Sequence, residues 1–220
     1  MKSLSYLVSL AVPFALIGFA LRVMLTPLYY TVEYNMPYFP KDEYGFTKED
    51  RLKWAKPSVE YLVNDADISY LAELKFDDGM PIYDYRELSH MEDVKSVVQG
   101  ALKTWYVSLG ILLIFLFLFW RINALSEYFN ALRRGGQWMI GFAAILALIA
   151  GAGILLNPDI FWAFFAWFHS LFFEGDSWLF YYSDTLIRLF PIRFWQDAVI
   201  CMAVIALGGG AALAVGLKTR

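Results

Sequence analysis

The chain has 220 residues, of which 59% are hydrophobic, and a formal net charge of −3 at pH 7. It carries no basic patch of the kind that binds nucleic acid. A single cysteine excludes both a disulfide framework and a cysteine-based metal site. The apolar residues lie in long blocks, and a block of about 20 such residues can cross a bilayer core as a helix. The composition therefore predicts an integral membrane protein.

Four apolar stretches are candidates for membrane spans, at about residues 4–28, 106–120, 138–156 and 198–217. We predict an all-α integral membrane protein with four transmembrane helices, an extracellular and mostly helical cap, and an aromatic interfacial helix. In chain order the predicted segments are a first transmembrane helix (1–30), an extracellular cap (31–103) including an amphipathic surface helix (89–100), a second transmembrane helix (104–122), a cytoplasmic loop (123–137), a third transmembrane helix (138–156), an extracellular aromatic-rich interfacial segment (157–196), and a fourth transmembrane helix with a cytoplasmic tail (197–220).

The first stretch resembles a signal peptide in position, but its apolar run is long and no small-x-small cleavage site ends it. It continues into an aromatic edge at Tyr29 and Tyr30 of the kind found at membrane interfaces. We therefore expect a retained transmembrane helix.

The loop charges predict the orientation of the four spans. If the N-terminus is cytoplasmic, one side collects the basic residues Lys2, Arg121, Arg133, Arg134, Lys218 and Arg220. Residues 31–103 carry 15 acidic and 9 basic side chains, and residues 157–197 carry 5 acidic and 2 basic ones. Because basic residues favour the cytoplasmic side, both acidic segments are expected on the outer face and both termini inside.

A capping-box pattern, Ser89-x-x-Glu92, predicts the start of the cap's surface helix, with His90 as its first helical residue. Apolar side chains then recur on one face, at Met91, Val94, Val97, Val98 and Ala101. An amphipathic helix of this kind favours the membrane surface. We expect a bend near Gly100 that separates it from the second span.

Asn157, Pro158 and Asp159 form a helix start, with a cap, a proline at the first position and an acid in the first turn. The apolar run that follows ends at Phe173, and it is too short to span a membrane. It therefore predicts an interfacial or re-entrant helix, whose only strongly polar side chain is His169.

The two histidines of the chain are both predicted at the outer membrane surface. Histidine transfers protons near neutral pH, so the pair suggests acid–base chemistry; the alternative is two structural, hydrogen-bonded histidines. A helix N-terminus at His90 and aromatic surroundings at His169 both favour the neutral imidazole. Asp93 either orients an imidazole or caps the helix, and Arg22 either extends to the interface or contacts substrate. No carboxylate stands at ligand spacing, so no metal site is predicted.

Two segments carry a resemblance to a known family. The sequence HMEDVK at 90–95 and the sequence FHSLFFEGDSWLFYYSDTLIRLFPIRFW at 168–195 resemble signatures of the bacterial lipoprotein intramolecular transacylases. The order of spans and outer segments is also similar, so the resemblance covers most of the chain. It implies transfer of the sn-2 acyl chain of a diacylglyceryl-cysteine lipoprotein to the amine of that cysteine, giving a lyso-form lipoprotein.

In that family two histidines are catalytic, and the resemblance places them at His90 and His169. We predict that His90 takes a proton from the amine, while His169 stabilises the oxyanion or protonates the leaving oxygen; the reverse assignment stays open. Asp184, Asp176 or Tyr85 is expected to orient His169. The supporting or substrate-binding residues that we predict are Asp93, Tyr85, Arg22, Phe173, Asp176, Trp178 and Asp184.

The predicted partners are diacylglyceryl-modified lipoproteins and membrane lipids, with no nucleic acid, and the protein is expected to be a monomer without cofactor or metal. Two other functions fit the sequence. One is a non-catalytic membrane protein that binds lipid or lipoprotein, as a sensor or accessory subunit. The other is haem binding, with the two histidines as axial ligands.

Overall fold

The computed structural model describes residues 2–217, so Lys218 and Arg220 of the charge argument lie outside the described residues. Over this range the chain is helical, and four helices are long and apolar enough to cross a membrane, as predicted. The helices are α1 (Lys2–Met24), α2 (Pro27–Tyr34), α3 (Lys48–Val63), α4 (Ser69–Ala72), α5 (Tyr85–Arg121), α6 (Leu125–Leu155), α7 (Pro158–Ser170), α8 (Thr185–Leu189) and α9 (Ile192–Gly216).

The chain forms two compact units. Unit 1 comprises Met1–Arg22, Ala101–Leu156 and Val199–Arg220. Unit 2 comprises Val23–Gly100 and Asn157–Ala198, and it therefore contains both histidines.

The first predicted span is divided in the structure. Helix α1 ends at Met24, and a separate helix, α2, begins at Pro27. Proline suits the first position of a helix because its missing N–H would have no partner there. The aromatic edge at Tyr29 and Tyr30 is thus a helix of unit 2 and not the end of α1, so the predicted first helix of 1–30 is too long.

Helix α5 corrects the predicted surface helix. It begins at Tyr85 and runs without interruption to Arg121, so Ser89 is not its N-cap and Gly100 does not end a separate helix at residues 89–100. The capping box at the start of α5 is formed by Asp84 and Glu87 instead. The side chain of Glu87 accepts a hydrogen bond from the N–H of Asp84, and that of Asp84 accepts one from the N–H of Glu87. A glycine inside a helix costs only about 1 kcal/mol, which is too little to interrupt 37 residues of helix.

The loop predicted at 123–137 is also mostly helical, because α6 begins at Leu125. The turn before it contains Asn123, whose positive φ of 55° lies in the left-handed region that asparagine tolerates. Arg134 lies within α6 and donates hydrogen bonds to the hydroxyls of Ser5 and Ser9 on α1. The basic pair predicted to mark a loop therefore belongs to a helix of unit 1 whose polar groups contact α1.

Small residues set the closest helix contacts of unit 1. A Cβ atom added to Gly136 of α6 would lie 2.7 Å from the carbonyl oxygen of Gly210 on α9. One added to Gly210 would lie 2.8 Å from the carbonyl oxygen of Gly136. Both glycines are thus required for this approach of two backbones, as is common in membrane helix pairs.

Unit 2 is organised around an aromatic and aliphatic core. Its fully or nearly buried members are Trp54, Tyr61, Leu71, Ile82, Tyr83, Met91, Leu186 and Leu189. Helix α3 begins with a capping box, in which Thr47 and Asp50 exchange side-chain and backbone hydrogen bonds. The core thereby joins α3, the start of α5 and α8 in one body.

The last helices are close to their predicted positions. Asn157 caps α7 as predicted, and its side chain accepts a hydrogen bond from the N–H of Asp159. Helix α9 begins at Ile192, directly after Pro191, and not at 197. Its first turns belong to unit 2.

Candidate functional site

His90 lies in the second turn of α5, beside two aromatic side chains of the segment that follows α7. The imidazole centroid is 4.9 Å from that of Phe173 and 5.3 Å from that of Phe180, and both contacts are edge-on. The Nδ1 atom is buried and has no hydrogen-bond partner among the described residues. The ring is therefore held by aromatic contacts and not by a polar partner at Nδ1.

His169 lies in the last turn of α7. Its Nδ1 is 2.8 Å from the carbonyl oxygen of Phe165, four residues earlier on the same helix. Because a carbonyl only accepts, Nδ1 carries the hydrogen and Nε2 of the neutral ring has a free lone pair. The imidazole also lies against the rings of Trp178 and Phe165, at centroid distances of 4.7 and 4.0 Å.

Phe173 brings the two histidines into one site. Its ring contacts that of His90 at 4.9 Å and that of His169 at 5.6 Å. A haem held by both histidines would have to displace this ring, which makes the site a poor match to bis-histidine haem ligation. The shared phenylalanine and Trp178 instead form an aromatic wall around two imidazoles.

Burial keeps both histidines neutral. Removal from water, together with a smaller contribution from the nearby His169, lowers the pKa of His90 to about 4. His90 precedes the predicted spanning part of α5 and belongs to unit 2. Burial also lowers the pKa of His169, while its hydrogen bond to the Phe165 carbonyl acts in the opposite direction. Desolvation penalises the charged imidazolium in both cases.

The orienting partner of His169 differs from the three predicted. Asp184 accepts a hydrogen bond from the backbone N–H of Tyr181, and Asp176 is exposed. Tyr85, with 85% of its surface exposed, is the first residue of α5. None of the three is bonded to His169 in the described structure; the Phe165 carbonyl has that role.

The other predicted residues are placed as follows. Phe173 and Trp178 contact the imidazoles. Asp93 is exposed, and within the described residues it neither orients an imidazole nor caps α5. Arg22 is on α1, in unit 1, so its contact with substrate stays a prediction.

Three residues of the site were missed by the sequence reasoning. Phe165 precedes His169 by one helical turn, and Phe180 lies in the quoted aromatic segment. Glu87 was the available signal for the true start of α5, since Asp84-x-x-Glu87 fits the capping-box pattern as well as Ser89-x-x-Glu92 does. Within residues 2–217, no group of three or more His, Cys, Asp or Glu side chains is arranged to hold a metal ion.

Comparisons with known proteins concern the family and the fold. The family model of the lipoprotein intramolecular transacylase Lit matches residues 6–195. An uncharacterised protein of Aquifex aeolicus (strain VF5) is 29% identical over 205 residues, which cover 93% of this chain and 88% of that protein.

Solved structures share the fold. The membrane-integral lipoprotein intramolecular transacylase Lit from Bacillus cereus matches with a TM-score of 0.71 at 21% identity, covering 96% of this chain and 91% of that one. A variant of the same protein with a histidine replaced by alanine matches with a TM-score of 0.69 at 20% identity, covering 98% and 91%.

Proposed function

Because this chain belongs to the lipoprotein intramolecular transacylase family, whose members are membrane acyltransferases that form lyso-form lipoproteins, we propose that it moves the sn-2 acyl chain of a diacylglyceryl-cysteine lipoprotein to that cysteine's own α-amine. The observation that carries the proposal is the pair of neutral imidazoles that share the Phe173 ring. A half-buried, aromatic-walled pair suits a lipid ester and a proton transfer.

The reaction needs no outside reagent. The α-nitrogen attacks the acyl carbon, a C–N bond forms and the ester C–O bond breaks. One proton leaves the amine and one arrives at the glyceryl oxygen, so atoms and charge balance. The attack closes an eight-membered ring, which is entropically unfavourable; a confining site supplies the close approach of the two groups.

His169 is the better candidate for the base, which reverses the assignment made from sequence. Its Nδ1–H is bonded to the Phe165 carbonyl, so its Nε2 lone pair is the one available for the amine proton. It also lies in the last turn of α7, where the partial negative charge of the helix end favours an imidazolium. The same ring can return the proton to the leaving oxygen.

His90 then serves as the hydrogen-bond donor to the oxyanion. Its removal from water disfavours a cation, so its ring stays neutral. An unpartnered, buried N–H would be costly at Nδ1, so the hydrogen belongs on Nε2, where substrate can accept it. A neutral imidazole can stabilise a developing oxyanion in this way.

Mass spectrometry of a co-expressed diacylglyceryl lipoprotein tests the proposal. The substrate and product have equal mass, so the N-terminal peptide must be fragmented. We expect an N-acyl, monoacyl-glyceryl terminus with the wild-type protein and the unchanged diacylglyceryl terminus with His169→Ala. A lipoprotein that co-purifies with the wild-type protein but is never converted would replace this proposal by the non-catalytic binder.

We further propose that both termini are cytoplasmic and that residues 31–103 face outward, on the strength of the loop charges. Lys53→Cys and Arg133→Cys, each in a Cys201→Ser background, form a matched pair of exposed positions. An impermeant thiol reagent on intact cells should label the first and not the second. Protection of the first position and labelling of the second would invert the topology.

A further inference from the structure

Glu87 is a buried carboxylate close to the site in sequence but without a part in the proton transfers. Only 3% of its surface is exposed. It lies on α5 three residues before His90, and both residues belong to unit 2. A charged side chain at this depth must be hydrogen-bonded to be tolerated, so its partners indicate what it does.

Both carboxylate oxygens accept backbone hydrogen bonds, and the two donors belong to different parts of the chain. Oε2 accepts from the N–H of Asp84, at 2.9 Å, in the capping box of α5. Oε1 accepts from the N–H of Leu186, at 2.7 Å, in the first turn of α8. One side chain thus joins the first turn of the helix that carries His90 to the first turn of α8.

Neighbouring contacts fasten the same two segments. The Thr185 hydroxyl donates to the carbonyl of Ile82 at 2.6 Å. Arg86 donates to the carbonyl of Leu179, and its guanidinium carbon lies 5.5 Å from the centroid of the Phe180 ring. The stretch from Leu179 to Leu186 is therefore held along the first turn of α5.

The held stretch includes Phe180, one of the two aromatic rings that contact His90. Phe180 lies within it, 5.3 Å from the imidazole centroid, and Phe173 lies in the same connection between α7 and α8. Since Nδ1 of His90 has no polar partner among the described residues, these aromatic contacts fix the ring. A shift between α5 and α8 would move the aromatic wall relative to the imidazole.

We propose that Glu87 is a positioning residue for His90: its carboxylate, shared by the N–H groups of Asp84 and Leu186, sets the position of the imidazole against the aromatic segment that also contacts His169. This inference rests on the proposed transacylase function. It assigns Glu87 no contact with substrate and no proton to carry.

The two backbone donors favour the ionised carboxylate of Glu87, whereas its burial raises the pKa to about 7. Glutamine offers one acceptor oxygen, and its NH₂ group would face the second backbone N–H without bonding it. Glu87→Gln therefore keeps one of the two hydrogen bonds and loses the other, with little change in side-chain volume. Glu87→Ala loses both and leaves two backbone N–H groups without their partner, which is costly in a buried place.

The test uses the purified full chain in lipid vesicles with a synthetic diacylglyceryl lipopeptide. For Glu87→Gln we expect kcat to fall about 10- to 100-fold, since a small misplacement of a reacting group can cost that much. The KM should change less than about twofold, because ground-state binding does not use His90. Glu92→Gln, on an exposed face of the same helix, is the matched control and should retain wild-type kcat.

A double variant separates positioning from general destabilisation. If Glu87 acts through His90, Glu87→Gln should reduce the residual rate of His90→Ala by less than about twofold, because groups acting as a unit are non-additive. Full additivity, or a wild-type kcat for Glu87→Gln, would overturn the inference. If Glu87→Gln does not accumulate, Thr185→Val removes the adjacent tie to Ile82 and should lower kcat in the same non-additive way. An inactive wild-type protein would instead overturn the proposed function.

Discussion

The interior of unit 1 and the interior of unit 2 are stabilised by different kinds of contact. In unit 1 the closest approaches involve glycines such as Gly136 and Gly210, with a few polar contacts from Arg134. In unit 2, side chains bond backbone groups far away in sequence, as Glu87 does with Leu186 and Tyr34 with the Leu189 carbonyl. Close packing at glycines is characteristic of the first unit, whereas hydrogen bonds between distant segments, around an apolar core, are characteristic of the second.

This difference in contacts follows from the composition of the two units: unit 1 consists mainly of apolar helices suited to lipid, and unit 2 is rich in charged residues and loops. Lipid tails are as apolar as leucine, so burial of apolar surface gives membrane helices little reason to associate and close backbone packing must supply it. A cap rich in charged residues and loops must instead satisfy its buried polar groups one by one. Substitutions in unit 1 should therefore act by disturbing close packing. Substitutions in unit 2 should act by removing a hydrogen-bonding, charged or reacting group.

The largest effect is expected at the two histidines, where chemistry and not stability is at stake. His90→Ala and His169→Ala should each lower the rate of lyso-form production by about 10²–10⁴-fold, the usual cost of losing an oxyanion donor or a positioned proton-transfer group. Fragmentation mass spectrometry of a co-expressed lipoprotein measures the product. Asp93→Asn, an exposed change on the same helix as His90, should convert normally.

The double alanine variant sharpens this prediction. It should be little worse than either single variant, because groups that act as a unit are non-additive. Membrane extracts should contain all three variants at near wild-type amounts. Normal conversion by one single variant would remove that histidine from the mechanism.

The next effect concerns a buried ion pair of unit 2. Arg188 Nη2 lies 3.1 Å from an oxygen of Asp42, and their side chains are 13% and 3% exposed. Asp42→Ala leaves a buried guanidinium without its counter-charge, which typically costs about 3–5 kcal/mol. Denaturant unfolding in detergent should show this loss.

Asp77→Ala provides the comparison, since Asp77 pairs with Lys53 while its side chain is 98% exposed. Exposed pairs contribute about 0–1 kcal/mol, so its midpoint should barely move. Equal losses for the two variants would contradict the buried-pair account.

A smaller effect is expected from shape in unit 1. Gly210→Ala places a Cβ against the Gly136 carbonyl, and overpacking of this kind costs about 1–3 kcal/mol. Gly208→Ala, two residues earlier on the same helix, meets no atom within 4 Å and should be neutral or slightly stabilising. The thermal midpoints of the two variants in detergent should differ in that order, and a reversed order would contradict the close contact.

A further effect is a dependence of stability on pH to which Glu33 in α2 contributes. Burial, reinforced by the neighbouring Asp197, raises its pKa to about 8, although Arg193 acts in the opposite direction. Since the folded pKa lies above the unfolded value of 4.5, the protonated form favours folding. Its contribution is complete below pH 4.5 and is lost as the pH rises through about 8.

Glu33→Gln should reduce this loss of stability, and Glu87, whose pKa burial raises to about 7, should supply a remaining part. The acid side reflects His90, whose lowered pKa makes the folded state less stable as the pH falls from 6.5 towards about 4. Thermal midpoints recorded from pH 5 to 9 would check both slopes. An equal alkaline slope in the variant would assign it to another group.

Features that depend only on residues close together in the sequence were predictable from it. The four spanning helices follow from apolar length, and the starts of α3 and α7 follow from their caps at Thr47 and Asn157. The start of α5 was not, because two capping patterns compete within eight residues of one another. The choice between them depends on Leu186, 99 residues away, which bonds Glu87.

The candidate site divides in the same way. The grouping of His90, His169, Phe173 and Trp178 was predictable, because the two histidines stand out in aromatic surroundings; their roles in a reaction stay predictions. The proton positions were not, since they depend on a hydrogen bond that leaves no residue-type signal. The prediction of His90 as the base relied on a helix start at Ser89, and it lost its basis when the helix proved to begin at Tyr85.

The Phe165 carbonyl has a consequence for genetics. An imidazole that takes its tautomer from a side chain exposes that partner to alanine scanning and to comparison among homologues. A main-chain oxygen is present whatever residue stands at position 165, so neither approach would register it. In proteins built this way, a search among conserved carboxylates would not find the group that orients the histidine. Only a change to the peptide bond itself, such as an ester analogue, would weaken this acceptor.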